Sequence, residues 1–141
     1  MIIRKYEPND RQKIISFFQP KEAIDTPENT IYIADNNGTI EGASMFSTSK
    51  YGDPRLEAVN VSPFKISTYM QLVAEGVKDL INAGYENGYF QIYDKGLLDM
   101  LKSYFQVKDE PHGRNPITGE AKDWIIRVDL KDALAQLQKY I

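Results

Sequence analysis

The feature that most limits what this chain can fold into is a change of hydrophobic period at its centre. Residues 55–61, Arg55-Leu56-Glu57-Ala58-Val59-Asn60-Val61, alternate apolar and polar and stop at Ser62-Pro63, the period-two mark of a strand. From Ser67 the period lengthens: Met70, Val73, Val77, Leu80 and Ile81 share one helical face, Glu75, Lys78 and Asp79 take the other, and Ala83-Gly84 ends the helix. Tyr89-Phe90-Gln91-Ile92-Tyr93 returns to strand character. A helix between two neighbouring strands implies a parallel crossover.

The flanking segments read differently. Residues 30–35 and 39–46 are β-prone runs on either side of Asn36-Asn37-Gly38, a strong hairpin signal because a tight turn needs residues that accept positive φ. A further turn at Tyr51-Gly52-Asp53-Pro54 makes residues 55–61 the third consecutive antiparallel strand. Upstream, Met1 to Tyr6 reads as a short strand, followed by a helix that Asp10 would cap, with Ile14, Ile15, Phe17 and Phe18 at helical spacing and Pro20 closing it. Residues 21–29 read as a loop or a broken helical turn.

Downstream, Leu97, Leu98, Leu101 and Phe105 line a helix of about residues 95–104. Residues 105–108 and 123–128 are the expected arms of a last hairpin, joined by a long loop that holds Pro111, His112, Gly113, Pro116 and Gly119. Asp129 caps a final helix with Leu130, Leu134, Leu137 and Ile141 on one face. The order predicts one domain over residues 1–141, of α+β class, arranged as a three-layer α/β/α sandwich on one largely antiparallel sheet.

Composition narrows the chemistry. With no cysteine and one histidine in 141 residues, disulfides, thiolate nucleophiles and Cys- or His-rich metal sites are excluded. A net charge of −3 gives little general attraction for a polyphosphate backbone, so nucleic acid is not an expected partner. The longest apolar runs fall far short of the roughly 20 residues of a membrane-spanning helix, and Met1-Ile2-Ile3 runs directly into Arg4-Lys5 rather than into a signal sequence. The expected residence is the cytoplasm, or a virion if the chain is phage-encoded.

The element order, with Glu57-Ala58-Val59-Asn60-Val61-Ser62-Pro63 directly before an amphipathic helix, resembles the GNAT superfamily of N-acetyltransferases over nearly the whole chain. Ile3-Arg4-Lys5-Tyr6-Glu7-Pro8-Asn9-Asp10 looks like the family's first strand and helix start, and Ile40-Glu41-Gly42 like its strand after a turn. Val59-Asn60-Val61-Ser62-Pro63 looks like its fourth strand. Residues 93–105 look like its later strand and short helix, with Phe105 in the phenylalanine position that follows.

The resemblance implies acetyl-CoA as cofactor and direct transfer of an acetyl group to an amine on a small molecule or a protein, with a second copy or another protein as a possible partner. The implied cofactor contacts are Val59, Val61, Lys65, Ser67, Thr68 and Asp94, with Glu57 as general base; Tyr104, outside the family's own tyrosine slot, is the candidate substitute for the acid that protonates the departing thiolate. Alternation would put Glu57 on the face of Val59 and Val61, partly buried.

Two departures from the family pattern stand out. Its Arg/Gln-x-x-Gly-x-Gly/Ala loop corresponds to Phe64-Lys65-Ile66-Ser67-Thr68-Tyr69-Met70-Gln71, and no glycine occurs between Gly52 and Gly76. Side chains at Ile66 and Tyr69 narrow the cradle, while Lys65, Ser67, Thr68 and the helix N-terminus can still donate to phosphate. The usual tyrosine slot holds Met100 or Leu101, with Tyr104 one helical turn on. These departures keep a second function open: a catalytically inactive GNAT-fold structural or interaction protein, of the kind some phage virion proteins resemble. His112 is expected to be solvent-exposed in its loop and outside any metal or triad site.

Overall fold

A computed structural model describes residues 1–49 and 52–141. Seven strands form one sheet in the order β1-β2-β3-β4-β5-β7-β6, where β1 is Ile2–Lys5, β2 Asn29–Asn36, β3 Thr39–Ser47, β4 Arg55–Val61, β5 Asn87–Ile92, β6 Asp109–Arg114 and β7 Ala121–Asp129. Every neighbouring pair is antiparallel except β4 and β5. The helices are α1 (Arg11–Ile14), α2 (Ile66–Asn82), α3 (Lys95–Tyr104) and α4 (Leu130–Gln138), and α2 makes the crossover between the parallel strands. No helix among the described residues is long and apolar enough to cross a membrane.

The sheet separates two apolar layers. On one face Met70, Leu72, Ala74, Val77 and Leu80 of α2 pack with Tyr32, Ala34 and Phe46, and with Leu130 and Leu137 of α4. Leu98 and Leu101 of α3 close the same side over Ile92 and Ile126. On the other face Ile14 and Phe18 cover Ile31, Ile33, Ala43 and Met45. This is the expected α/β/α layering.

Close approach of α2 to β3 depends on Gly76. A Cβ there would lie 2.1 Å from Cε2 of Phe46, whose ring is itself buried edge-on against Tyr32 at 5.9 Å. The Asn37-Gly38 turn forms as the sequence requires: both residues have positive φ, 53° and 93°, and the Gly38 N–H donates to Asp35 Oδ1 at 2.7 Å.

Several expectations are corrected. Asp10 does not cap α1 with its side chain; its carboxylate instead accepts both Arg4 Nη donors at 2.8 Å and the Glu7 N–H at 2.9 Å. A buried acid beside an arginine fork is drawn to the ion pair in preference to a lone amide. The helix expected to run to Pro20 is regular only to Ile14 and tightens into a 3₁₀ turn at Ile15–Phe17. The last hairpin uses β6 at Asp109–Arg114, not residues 105–108, and the loop to β7 is short. Pro111 is accommodated because β6 is the sheet edge, where one face of the backbone needs no partner. The turn expected at Tyr51-Gly52-Asp53-Pro54 lies partly outside the described residues.

Candidate functional site

Two features of β4 define the site. It pairs with β5 only at Arg55–Tyr89 and Leu56–Phe90. Beyond them both strands continue, β4 to Val61 and β5 to Ile92, without pairing to each other, so the sheet opens between the parallel neighbours. Backbone groups along this opening lack the partners that a continuous ladder would supply.

The second feature is a bulge. Met45 of β3 pairs with Ala58 but Phe46 pairs with Leu56, so Glu57 is the extra residue. One extra residue reverses the alternation on one side of it. Leu56, Val59 and Val61 pack toward α2, whereas Glu57, Ala58 and Asn60 line a cavity on the opposite face, beneath the segment that follows α1. The expectation that Glu57 shares the face of Val59 and Val61 is thereby corrected, and with a side chain 31% exposed it is less enclosed than that placement implied.

This cavity, about 790 Å³, is walled by Phe17, Phe18, Pro20, Met45 and Ala58, with Glu57, Asn29, Asn60 and Ser62 supplying polar groups. The Asn60 amide donates to the Phe17 carbonyl, tying β4 to the wall. Ser47 Oγ donates to Glu57 Oε1 at 2.7 Å, and Arg55 Nε lies 3.7 Å from Glu57 Oε2. A carboxylate at the mouth of a half-apolar cavity can accept a proton from an amine held there.

A second cavity of about 420 Å³ lies on the α2 face, between α2, α4 and the end of α3, and is lined by Phe46, Leu56, Tyr69, Met70, Leu101 and Phe105 among others. Tyr69 faces it with a phenol that burial pushes up to about 12, so it is a neutral donor at ordinary pH.

Of the remaining expected residues, Lys65, Ser67 and Thr68 follow β4 at the start of α2, Asp94 follows β5, and Tyr104 ends α3. Lys65 leads into α2 without a side-chain cap on the helix, leaving first-turn amides free for an anion; its Nζ sits 3.9 Å from Glu41 Oε2. Ser67 is exposed. Thr68 is buried, with its hydroxyl toward Met1 Sδ at 3.7 Å, so its side chain is not presented to a ligand. Asp94 caps α3, accepting from the Gly96 N–H at 2.8 Å. Lys65, Ser67, Thr68, Asp94 and Tyr104 line neither cavity. The Tyr104 ring packs edge-on against Tyr140 at 5.2 Å, and Tyr140 Oη donates to its carbonyl. Met100 is partly buried and Leu101 buried.

The sequence offered no sign of Arg55, Gln91 and Asp123 as a group, because they sit on three strands. Arg55 Nη2 donates to Gln91 Oε1 at 3.1 Å, and Gln91 Nε2 donates to Asp123 Oδ2 at 2.5 Å. Asp123 also accepts the Gly113 N–H at 2.7 Å, and His112 Nδ1 lies 2.8 Å from it. The Gln91 and His112 hydrogen bonds hold the Asp123 carboxyl below the usual carboxylate range. His112 is exposed as expected, but it belongs to β6 rather than to a loop.

No family model and no curated protein sequence matches the chain. Solved structures do. It is similar to a putative GNAT-family acetyltransferase from Desulfovibrio desulfuricans, at 14% identity and TM-score 0.73, over 92% of this chain and 98% of that one. An aminoglycoside 6′-N-acetyltransferase complexed with coenzyme A aligns at 14% identity and TM-score 0.73, over 92% and 97%. A GNAT-family acetyltransferase from Elizabethkingia anophelis with acetyl-CoA bound aligns at 18% identity and TM-score 0.64, over 91% and 97%. The chain has the GNAT fold.

Proposed function

We propose that this protein is an acetyl-CoA-dependent N-acetyltransferase that transfers an acetyl group directly to an amine. The observation that carries this reading is the parting of β4 from β5 after two pairs, beside an α2 N-terminus that no side chain caps. Both features suit the cofactor: a helix start with free amides and the adjacent Lys65 can hold a pyrophosphate, and unpaired strand edges can hydrogen-bond an extended amide chain. The absence of glycine from residues 53–75 leaves the helix amides, rather than a glycine-rich loop, as the main phosphate donors. Val59 and Val61 would supply backbone along the opening, and Ser67 and Asp94 would flank it.

When bound, acetyl-CoA supplies an activated thioester. This chain's own contribution is Glu57, which would take the proton released as the amine is acylated, directly or through water, with the 790 Å³ cavity holding the rest of the acceptor. Tyr104, proposed as the acid, draws no support from its position against Tyr140.

The decisive experiment is titration with acetyl-CoA, followed by calorimetry and thermal melting. Binding to the folded state alone raises stability by about 2.7 kcal/mol at a hundredfold excess over Kd. Absence of both heat and thermal shift at millimolar acetyl-CoA would sink the proposal and leave the inactive GNAT-fold scaffold in its place.

A further inference from the structure

We infer that Arg55 is a positioning residue that sets the orientation of Glu57, and that Gln91 and Asp123 fix Arg55 from the two neighbouring strands. The assignment rests on Glu57 being the proton acceptor proposed above.

The bulge frees Glu57 from the regular ladder, so its carboxylate needs other restraints. Ser47 holds one oxygen, but a hydroxyl rotates and sets no direction. The other oxygen faces Arg55 Nε at 3.7 Å. That Nε is buried and, among the described residues, has no hydrogen-bond partner. A buried cationic donor left unpaired is costly, and a shift of Glu57 by less than about 1 Å would bring the pair within hydrogen-bond range.

Arg55 cannot simply turn away. Asp123 is buried and held as a carboxylate, which only accepts, so the Gln91 amide must present its NH₂ to it. The Gln91 carbonyl then faces Arg55, and Arg55, which only donates, must present Nη2 to that carbonyl. A planar guanidinium pinned at Nη2 has its Nε direction restricted as well, and the Tyr89 ring, 6.0 Å from its central carbon, limits it further. Asp123 is itself anchored by the Gly113 N–H and His112. Donor and acceptor roles therefore run one way, from the β6–β7 hairpin across β5 to the bulge in β4.

The test has two arms, a resonance and a turnover measurement, both made on Gln91→Leu and Asp123→Asn, neither of which removes Arg55 or Glu57. In ¹⁵N-labelled protein without ligand, the Arg55 Nε–H resonance should move in both variants and in Glu57→Gln. In turnover with acetyl-CoA and an amine, both variants should lose about tenfold or more in kcat, while calorimetric affinity for acetyl-CoA stays within about twofold. An Arg55 resonance unmoved by Glu57→Gln and Gln91→Leu, or kcat unchanged in both Gln91→Leu and Asp123→Asn, would overturn the inference. The resonance arm needs no turnover, so failure of the wild-type protein to bind acetyl-CoA removes the proposed function while the coupling is still read.

Discussion

Glu57 shows how much one residue's role depends on a single irregularity in its strand. On ideal alternation it would lie under α2 among valines; the bulge turns it to the face where Ser47, Arg55 and a cavity await it. If Glu57 is the base, Glu57→Gln should lower kcat by at least about a hundredfold, within the range for losing a general base, with acetyl-CoA affinity unchanged by calorimetry. Turnover at the wild-type rate would remove Glu57 from the mechanism. Arg4 acts at the same scale but for stability, joining β1 to Asp10 and to Asp35 in one guanidinium fork.

Among the elements, α2 carries both structure and site. Its apolar stripe was legible in the sequence because burial against a sheet demands a 3.6-residue period, and its start at Ile66 lies one residue from the expected one. Gly76 was less legible: nothing in the sequence says that this helix position meets the Phe46 ring. Gly76→Ala should destabilise the fold by about 1–3 kcal/mol despite the better helix propensity of alanine, because the added methyl overlaps a ring already confined. Denaturant melts would read this as a lower midpoint at constant m; an equal or higher midpoint would mean that the layers can shift apart cheaply. The β6 strand was misplaced for a related reason. Asp109 to Arg114 contains proline and glycine and no apolar alternation, so only pairing with β7 at an edge makes it a strand.

At the scale of the whole molecule, carboxylates tie distant segments together and make stability depend on pH. Arg4 hydrogen bonds hold Asp10 low, the Gly38 N–H and Arg4 hold Asp35 low, and Gln91 and His112 do so for Asp123. For a depressed acid the unfolded chain takes up protons first, so its contribution is full above the ordinary carboxylate value of about 4 and is lost as pH falls through the lower folded value. The urea midpoint should therefore fall steadily from pH 4 toward pH 2, and Asp10→Asn should flatten that decline; a midpoint constant to pH 2 would contradict the linkage. Burial raises Tyr32 and Tyr69 instead, so their contributions persist below about pH 10 and fade as pH rises further.

The sequence by itself determined the element order, the central crossover, the Asn37-Gly38 hairpin and the layered α+β fold, because period, turn chemistry and capping are local properties of the chain. The tertiary structure alone decided that β4 and β5 part after two pairs, which face Glu57 takes, and that Arg55, Gln91 and Asp123 meet. Pairing register and side-chain networks join residues from 10 positions apart, as for Ser47 and Glu57, to 36, as for Arg55 and Gln91, and their geometry follows from how neighbouring strands pack rather than from the local order of residues.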